Sequence, residues 1–189
     1  MKNIIIFGGA FNPPTISHQR ILRACVDYAQ KINASIWILP SGQRADKTIN
    51  VADTTRLKYA EALKHSVTAH DIEILVKTDE MDAHELTETI HTHQLLQQKN
   101  SDVHFIWVFG ADSLVTMKHW HEGLWLWQNL TMLIIPRDNI ALPYTPPHAT
   151  WLDIAMPVGL SSTLVRQRIA AGKSVVRYVP KAVLQLIEN

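Results

Sequence analysis

Residues 3–7, "NIIIF", run straight through isoleucines with no polar alternation, and comparable runs recur along the chain. A strand with one wet face alternates apolar and polar residues, whereas an unbroken apolar run suits a strand covered on both faces. "SIWIL" (35–39), "VHFIWVFG" (103–110) and "LTMLIIP" (130–136) read the same way, and "DIEIL" (71–75) and "ATWLDIAM" (149–156) are further strand candidates. Between them lie stretches of helical spacing: 17–32, "TTRLKYAEALKH" (54–65), "ELTETIHTHQLLQQ" (85–98), "STLVRQRIAAG" (162–172) and "PKAVLQLIE" (180–188). Gly172 marks the end of one of these helices and Pro180 the start of the next. Strands alternating with helices predict an α/β fold: a doubly wound, Rossmann-like parallel sheet with helices on both faces. No repeat, low-complexity tract or linker is evident, so one domain over 1–189 is expected, with the Pro-rich "IALPYTPPHA" (140–149) as a surface loop.

Charge narrows the choice of partners. Lys and Arg total 18 against 17 acidic residues, a formal net charge of +1. Such a balance carries no electrostatic footprint for nucleic acid or an anionic membrane, though a small anionic ligand needs only a local positive site. No stretch approaches the ~18 apolar residues of a membrane span. A strand that begins almost at the first residue leaves no room for a signal peptide, and the single Cys25 suits a reducing compartment. These features predict a cytoplasmic protein. Cys25 lies in "RILRACVDYA", on the expected inner side of a helix, and is assigned to packing.

The chemistry is expected where the first strand ends, because open parallel sheets bind ligands beyond their strands' carboxyl ends. "FGGAFNPPTISHQRIL" follows that strand. Gly8 and Gly9 let the backbone approach a ligand closely, and their amides can face phosphate oxygens. Neither the dinucleotide pattern G-x-G-x-x-G nor the Walker loop is present. His18 stands at a helix N-terminus, where anions are favoured, while Thr15 or Ser17 can cap the same helix. On these residues alone, a phosphate site and a well-capped helix are equally good readings.

"GGAFNPPTISH" resembles the signature G-G-[TS]-F-[DN]-P-x-H-x-G-H of the nucleotidyltransferase superfamily. Gly8, Gly9, Phe11, Asn12, Pro13 and His18 match it; Thr15 stands in place of the first histidine and Ser17 in place of the glycine. "GLSSTLVRQRIAAGKS" is similar to that superfamily's second signature, I-S-S-T-x-[IL]-R, with Ser161, Ser162, Thr163 and Arg166 in register. "FIWVFGADSLVTMKHWHEGLWLWQNLTMLIIPR" resembles the nicotinate mononucleotide adenylyltransferases in particular, with G-x-D-S-L, a spaced Trp, and a strand ending near arginine. The resemblance implies that Gly8, Gly9, Ala10, Phe11, Thr15, His18, Gly110, Asp112, Ser161, Ser162, Thr163 and Arg166 meet ATP, and that His18, Lys47 and Arg166 are catalytic. It also implies substrate contacts for Asn12, Arg44, Lys47, Arg56, Thr87 and Trp120.

Several positions keep a second reading. Trp120 serves equally as core or as a face for a pyridine ring, whereas Trp125 and Trp127 are assigned to packing. Arg56 can be a surface ion pair instead, and Thr87 or Thr89 only loosely matches the family's Tyr-Thr stretch. In "PSGQRADK" (40–47), Lys47 matches while Asp46 replaces a family histidine, with Arg44 available to restore charge.

The implied reaction is attack of a mononucleotide 5′-phosphate on the α-phosphorus of ATP, giving a dinucleotide and pyrophosphate, with Mg2+ carried on the triphosphate. Such transfers need alignment and charge neutralisation, which fits the absence of any Ser-His-Asp or Cys-His arrangement. No protein-held metal is expected: the 10 histidines include the pairs "HTH" (91–93) and "HWH" (119–121), each lacking further ligands nearby in sequence. A threonine at position 15 carries no positive charge, so two other outcomes stand beside the enzyme. One is an adenylyltransferase with nicotinamide mononucleotide or pantetheine phosphate as acceptor; the other is a non-catalytic nucleotide-binding module.

Overall fold

A computed structural model describes residues 1–43, 49–69, 71–83, 88–137 and 140–188. Its sheet has six strands: β1 (Lys2–Gly9), β2 (Ala34–Pro40), β3 (Ile74–Val76), β4 (Val103–Gly110), β5 (Thr131–Ile135) and β6 (Ala149–Trp151). Their spatial order is β3-β2-β1-β4-β5-β6, and every pairing is parallel. The doubly wound expectation is met, with the order reversing between β1 and β4.

The apolar runs are strands because both faces are covered. Ile5 and Phe7 point to one core with Ile36, Ile38 and the buried side of α1 (Ile16–Ile32) and α2 (Asp53–Lys64). Ile4 and Ile6 point to the other, with Trp37 and Trp107, under α3 (Thr89–Lys99), α4 (Ala111–Met117) and α5 (Gly123–Asn129). Full burial of each such side chain stabilises the fold by roughly 1.5–3 kcal/mol. The C-terminal helices α6 (Ser162–Ala170) and α7 (Lys181–Glu188) add a third cluster, Val165, Val175, Val179 and Val183, against Ala62 of α2. Cys25 is buried, as its helix position predicts, and burial pushes its thiol up to about 12.

Several boundaries differ from the sequence reading, each for a local reason. β3 begins at Ile74 because the Ile72 amide donates to Ala69 O (2.8 Å) in a turn that precedes the ladder. β6 stops at Trp151: the Ile154 amide donates back to Leu152 O (3.1 Å) and the chain leaves the sheet. α3 starts at Thr89, since Glu88 is extended (φ −116°). The helices α4 and α5 were not foreseen; each has only seven residues, too few for a periodic signal. Gly172 does end α6. It holds φ +64° while its amide reaches Ile169 O and the Lys173 amide reaches Arg168 O (3.0 and 2.8 Å), the paired bonds of a glycine-closed helix. Trp127 packs against the second core as expected, whereas Trp125 remains 39% exposed.

Candidate active site

A cleft of about 520 Å³ opens at the carboxyl ends of β1 and β4, where the strand order reverses. Gly8, Gly9 and Ala10 form its near wall and Gly110, Asp112 and Trp120 its far wall. His18 lines it from the first turn of α1.

His18 is held by the residue that replaces the missing histidine. Thr15 is the N-cap of α1 and is fully buried. Its amide donates to His18 Nδ1 (3.0 Å), and its Oγ1 lies 2.9 Å from the same nitrogen. A nitrogen that accepts from a backbone amide carries no proton, so the imidazole hydrogen resides on Nε2, leaving that nitrogen as a donor for a ligand. Burial, with the nearby Arg137 guanidinium second, lowers the His18 pKa to about 4. Thr15 was expected at the ATP phosphates. It stands behind His18 and does not line the cleft, because an N-cap side chain turns toward its own helix.

The loop that follows β1 is fastened from outside the cleft. Phe11 has φ +47° and is 1% exposed, its ring packed edge-on between Phe7 (5.4 Å) and His18 (5.6 Å). Three carbonyls of the loop each accept from a different side chain. Arg56 Nη1 reaches Ala10 O (3.3 Å), Arg166 Nη1 reaches Asn12 O (2.9 Å), and Ser162 Oγ reaches Pro13 O (2.8 Å). Arg56 also donates to Ser41 O (2.6 Å) and pairs with Asp53. At 2% exposure it is neither a surface ion pair nor open to substrate; it ties the loop after β1 to the loop after β2.

Ser161 Oγ caps α6 by accepting the Leu164 amide (3.1 Å), and Thr163 Oγ1 accepts from Arg166 (3.1 Å). Neither these residues nor Ser162, Arg166, Phe11 or Asn12 lines the cleft. Their spacing allowed phosphate contact; in the structure the side chains of Ser161, Ser162, Thr163 and Arg166 bond to the loop or within α6. Arg44, Lys47 and Thr87 lie outside the described residues, and Thr89 lines the cleft.

On the far wall the expected pair is in place, with an addition. Asp112 accepts from Arg137 Nε (3.1 Å), and both line the cleft. Arg137 follows β5 and was visible in sequence only as an arginine near a strand end; its role needed the parallel register that brings β5 beside β4. A Cβ on Gly110 would fall 2.2 Å from Asp112 Oδ1 and 3.1 Å from Arg137 Nε, so only glycine leaves the pair its room. Trp120 is half-buried, sits edge-on to Phe109 (5.9 Å) and lines the cleft as well.

Both the sequence and the fold match one group of known proteins. Residues 6–168 match the cytidylyltransferase-like family. The chain belongs to that family. Within it, the chain is 32% identical to a probable nicotinate-nucleotide adenylyltransferase of Bacillus pumilus, over 100% of this chain and 97% of the relative. A relative of the same description from Exiguobacterium sibiricum is 29% identical over 97% of this chain and 95% of its own. The chain is thus a member of the nicotinate-nucleotide adenylyltransferase group of cytidylyltransferase-like proteins. In fold it is similar to the Plasmodium falciparum nicotinic acid mononucleotide adenylyltransferase solved with NaAD. That likeness has a TM-score of 0.81 at 20% identity, covering 100% of this chain and 95% of the other. Among the described residues of this family member, no helix is long and apolar enough to cross a membrane.

Proposed function

We propose that this family member joins ATP and nicotinate mononucleotide, releasing pyrophosphate and forming the deamido-NAD dinucleotide. The observation that carries the reading is His18: a neutral imidazole at the switch-point cleft, its Nδ1 occupied by Thr15, its Nε2–H free to donate beside Arg137. The whole-length likeness to relatives named for this reaction supports the choice of substrates.

In the proposed reaction an oxygen of the acceptor's 5′-phosphate bonds to the α-phosphorus of ATP, and the bond to the bridging oxygen of pyrophosphate breaks. Negative charge grows on the leaving pyrophosphate and on the α-phosphoryl oxygens. His18 Nε2–H and the Arg137 guanidinium are the donors assigned to that charge, and the Gly8–Gly9–Ala10 backbone lets the triphosphate lie close against β1. Asp112, oriented by Arg137, is suited to accept from ribose hydroxyls. Trp120 presents a face for the flat pyridine ring. No protein nucleophile is required; the one thiol, Cys25, is buried and protonated. The nucleotide substrate is MgATP, with the ion carried on its phosphates.

The test is pyrophosphate release from MgATP with nicotinate mononucleotide, nicotinamide mononucleotide or phosphopantetheine as acceptor, beside His18→Ala. Turnover is expected with nicotinate mononucleotide and should fall about 10²–10³-fold in the variant. Turnover confined to another acceptor would reassign the substrate. ATP binding without turnover on any of the three would overturn the enzymatic reading.

A further inference from the structure

The two histidine pairs that lack further ligands nearby in sequence each send one imidazole to the same point. We propose that Glu88, His91 and His121 form a site for a zinc-type dication at the mouth of the cleft. One ligand atom from each of the three lies within 4.8 Å of the other two. His121 Nδ1 is 2.6 Å from Glu88 Oε2, and His91 Nδ1 is 3.7 Å from that same oxygen. The two rings stand 5.0 Å apart at 74°.

An ion coordinated tetrahedrally at about 2.0–2.2 Å holds its ligand atoms roughly 3.3–3.5 Å apart. The separations here bracket that spacing, and all three side chains are exposed, so small rotations bring them to it. An exposed ion pair needs one imidazole per carboxylate. Two imidazole Nδ1 atoms within 3.7 Å of one carboxylate oxygen, brought from separate segments, instead outline the first coordination shell of a small cation. Glu88 precedes α3, His91 lies in its first turn, and His121 lies 33 residues from Glu88, in the connection between α4 and α5.

The donor set selects the metal. Two imidazoles and a carboxylate with a fourth position open suit zinc, and nickel or copper less specifically, whereas magnesium and calcium prefer all-oxygen shells. The site is therefore distinct from any ion that travels on a triphosphate. Glu88 and His121 also line the cleft, as Trp120 does, so an anionic substrate group or water in that space can complete the shell. A bound ion would clip the start of α3 to the α4–α5 connection and hold the Trp120 segment in place.

Tag-free, chelator-stripped protein is titrated with Zn2+ by calorimetry, beside His91→Ala, His121→Ala and a His119→Ala control. One zinc per chain is expected for the parent protein and for His119→Ala. Removing His91 or His121 should weaken it more than about 10-fold, since even outer-shell changes cost about 10–100-fold. Zinc should also raise the melting temperature of the parent protein but not of the double variant His91→Ala/His121→Ala, and Mg2+ at equal concentration should not. Zinc bound equally well by the double variant, or no saturable binding by the folded parent protein, would overturn the site.

Discussion

A histidine that serves as a neutral donor must resist protonation, and His18 is placed to do so. Its imidazole would titrate at 6.5 in the unfolded chain and titrates at about 4 in the fold, through burial and then Arg137. Between those values the unfolded chain binds more protons, so the fold's stability is intact above pH 6.5 and declines as pH falls toward 4. The whole shift corresponds to at most ~3 kcal/mol, and partial exposure of the ring to the cleft reduces it. A proton NMR titration of the ligand-free protein should give one histidine with a midpoint near 4, lost in His18→Ala and moved upward by ATP phosphates; a midpoint near 6.5 would contradict the geometry. Thr15 sets this imidazole's tautomer mainly through its amide, which survives substitution. Thr15→Ala should therefore cost about 1 kcal/mol in urea unfolding, as a lost N-cap, while turnover falls less than ~10-fold. The sequence showed that a motif histidine was absent at 15. It held no sign that the replacement would face its partner histidine instead of the ligand, because spacing three residues apart on a helix start serves both purposes.

At the scale of elements, β1, β2 and β4 were legible because burial on both faces demands continuous apolar runs. The helices α4 and α5 were not: two seven-residue helices separated by residues 118–122, the last of which, Glu122, takes φ +53°, leave no period to read. The same compactness explains Gly110. Its φ of −73° and ψ of 147° suit any residue, so glycine is there for space alone. Gly110→Ala should leave stability nearly unchanged and raise the KM for ATP roughly tenfold by displacing Asp112 and Arg137, a positional effect. Steady-state kinetics beside a melting curve separates this from a folding defect; an unchanged KM would remove the Asp112–Arg137 pair from the nucleotide site.

Across the whole molecule, the C-terminal helices and α2 act on the cleft from behind. Arg56 joins the loops after β1 and β2 through Nη1 while Nη2 holds Asp53, a planar arrangement that lysine cannot reproduce. Arg56→Met keeps the apolar stem, strands two carbonyls, and should cost about 3 kcal/mol in urea unfolding together with ATP affinity; Arg56→Lys should recover little of either. A neutral result would show that the loop holds its shape unaided. Sequence pattern singled out Arg56, Ser162 and Arg166 as ligand contacts, yet spacing alone carries no information on which acceptor a donor meets. Likewise, Glu88, His91 and His121 become neighbours only when α3 and the α4–α5 connection pack side by side. The three fastened carbonyls of residues 10–13 have a consequence for specificity. The half of the cleft assigned to the triphosphate is secured by residues that never line it, and the wall bearing Trp120 is built from separate segments. Substitution of Trp120 on that wall is then expected to shift acceptor preference while the fastened loop after β1 keeps its shape.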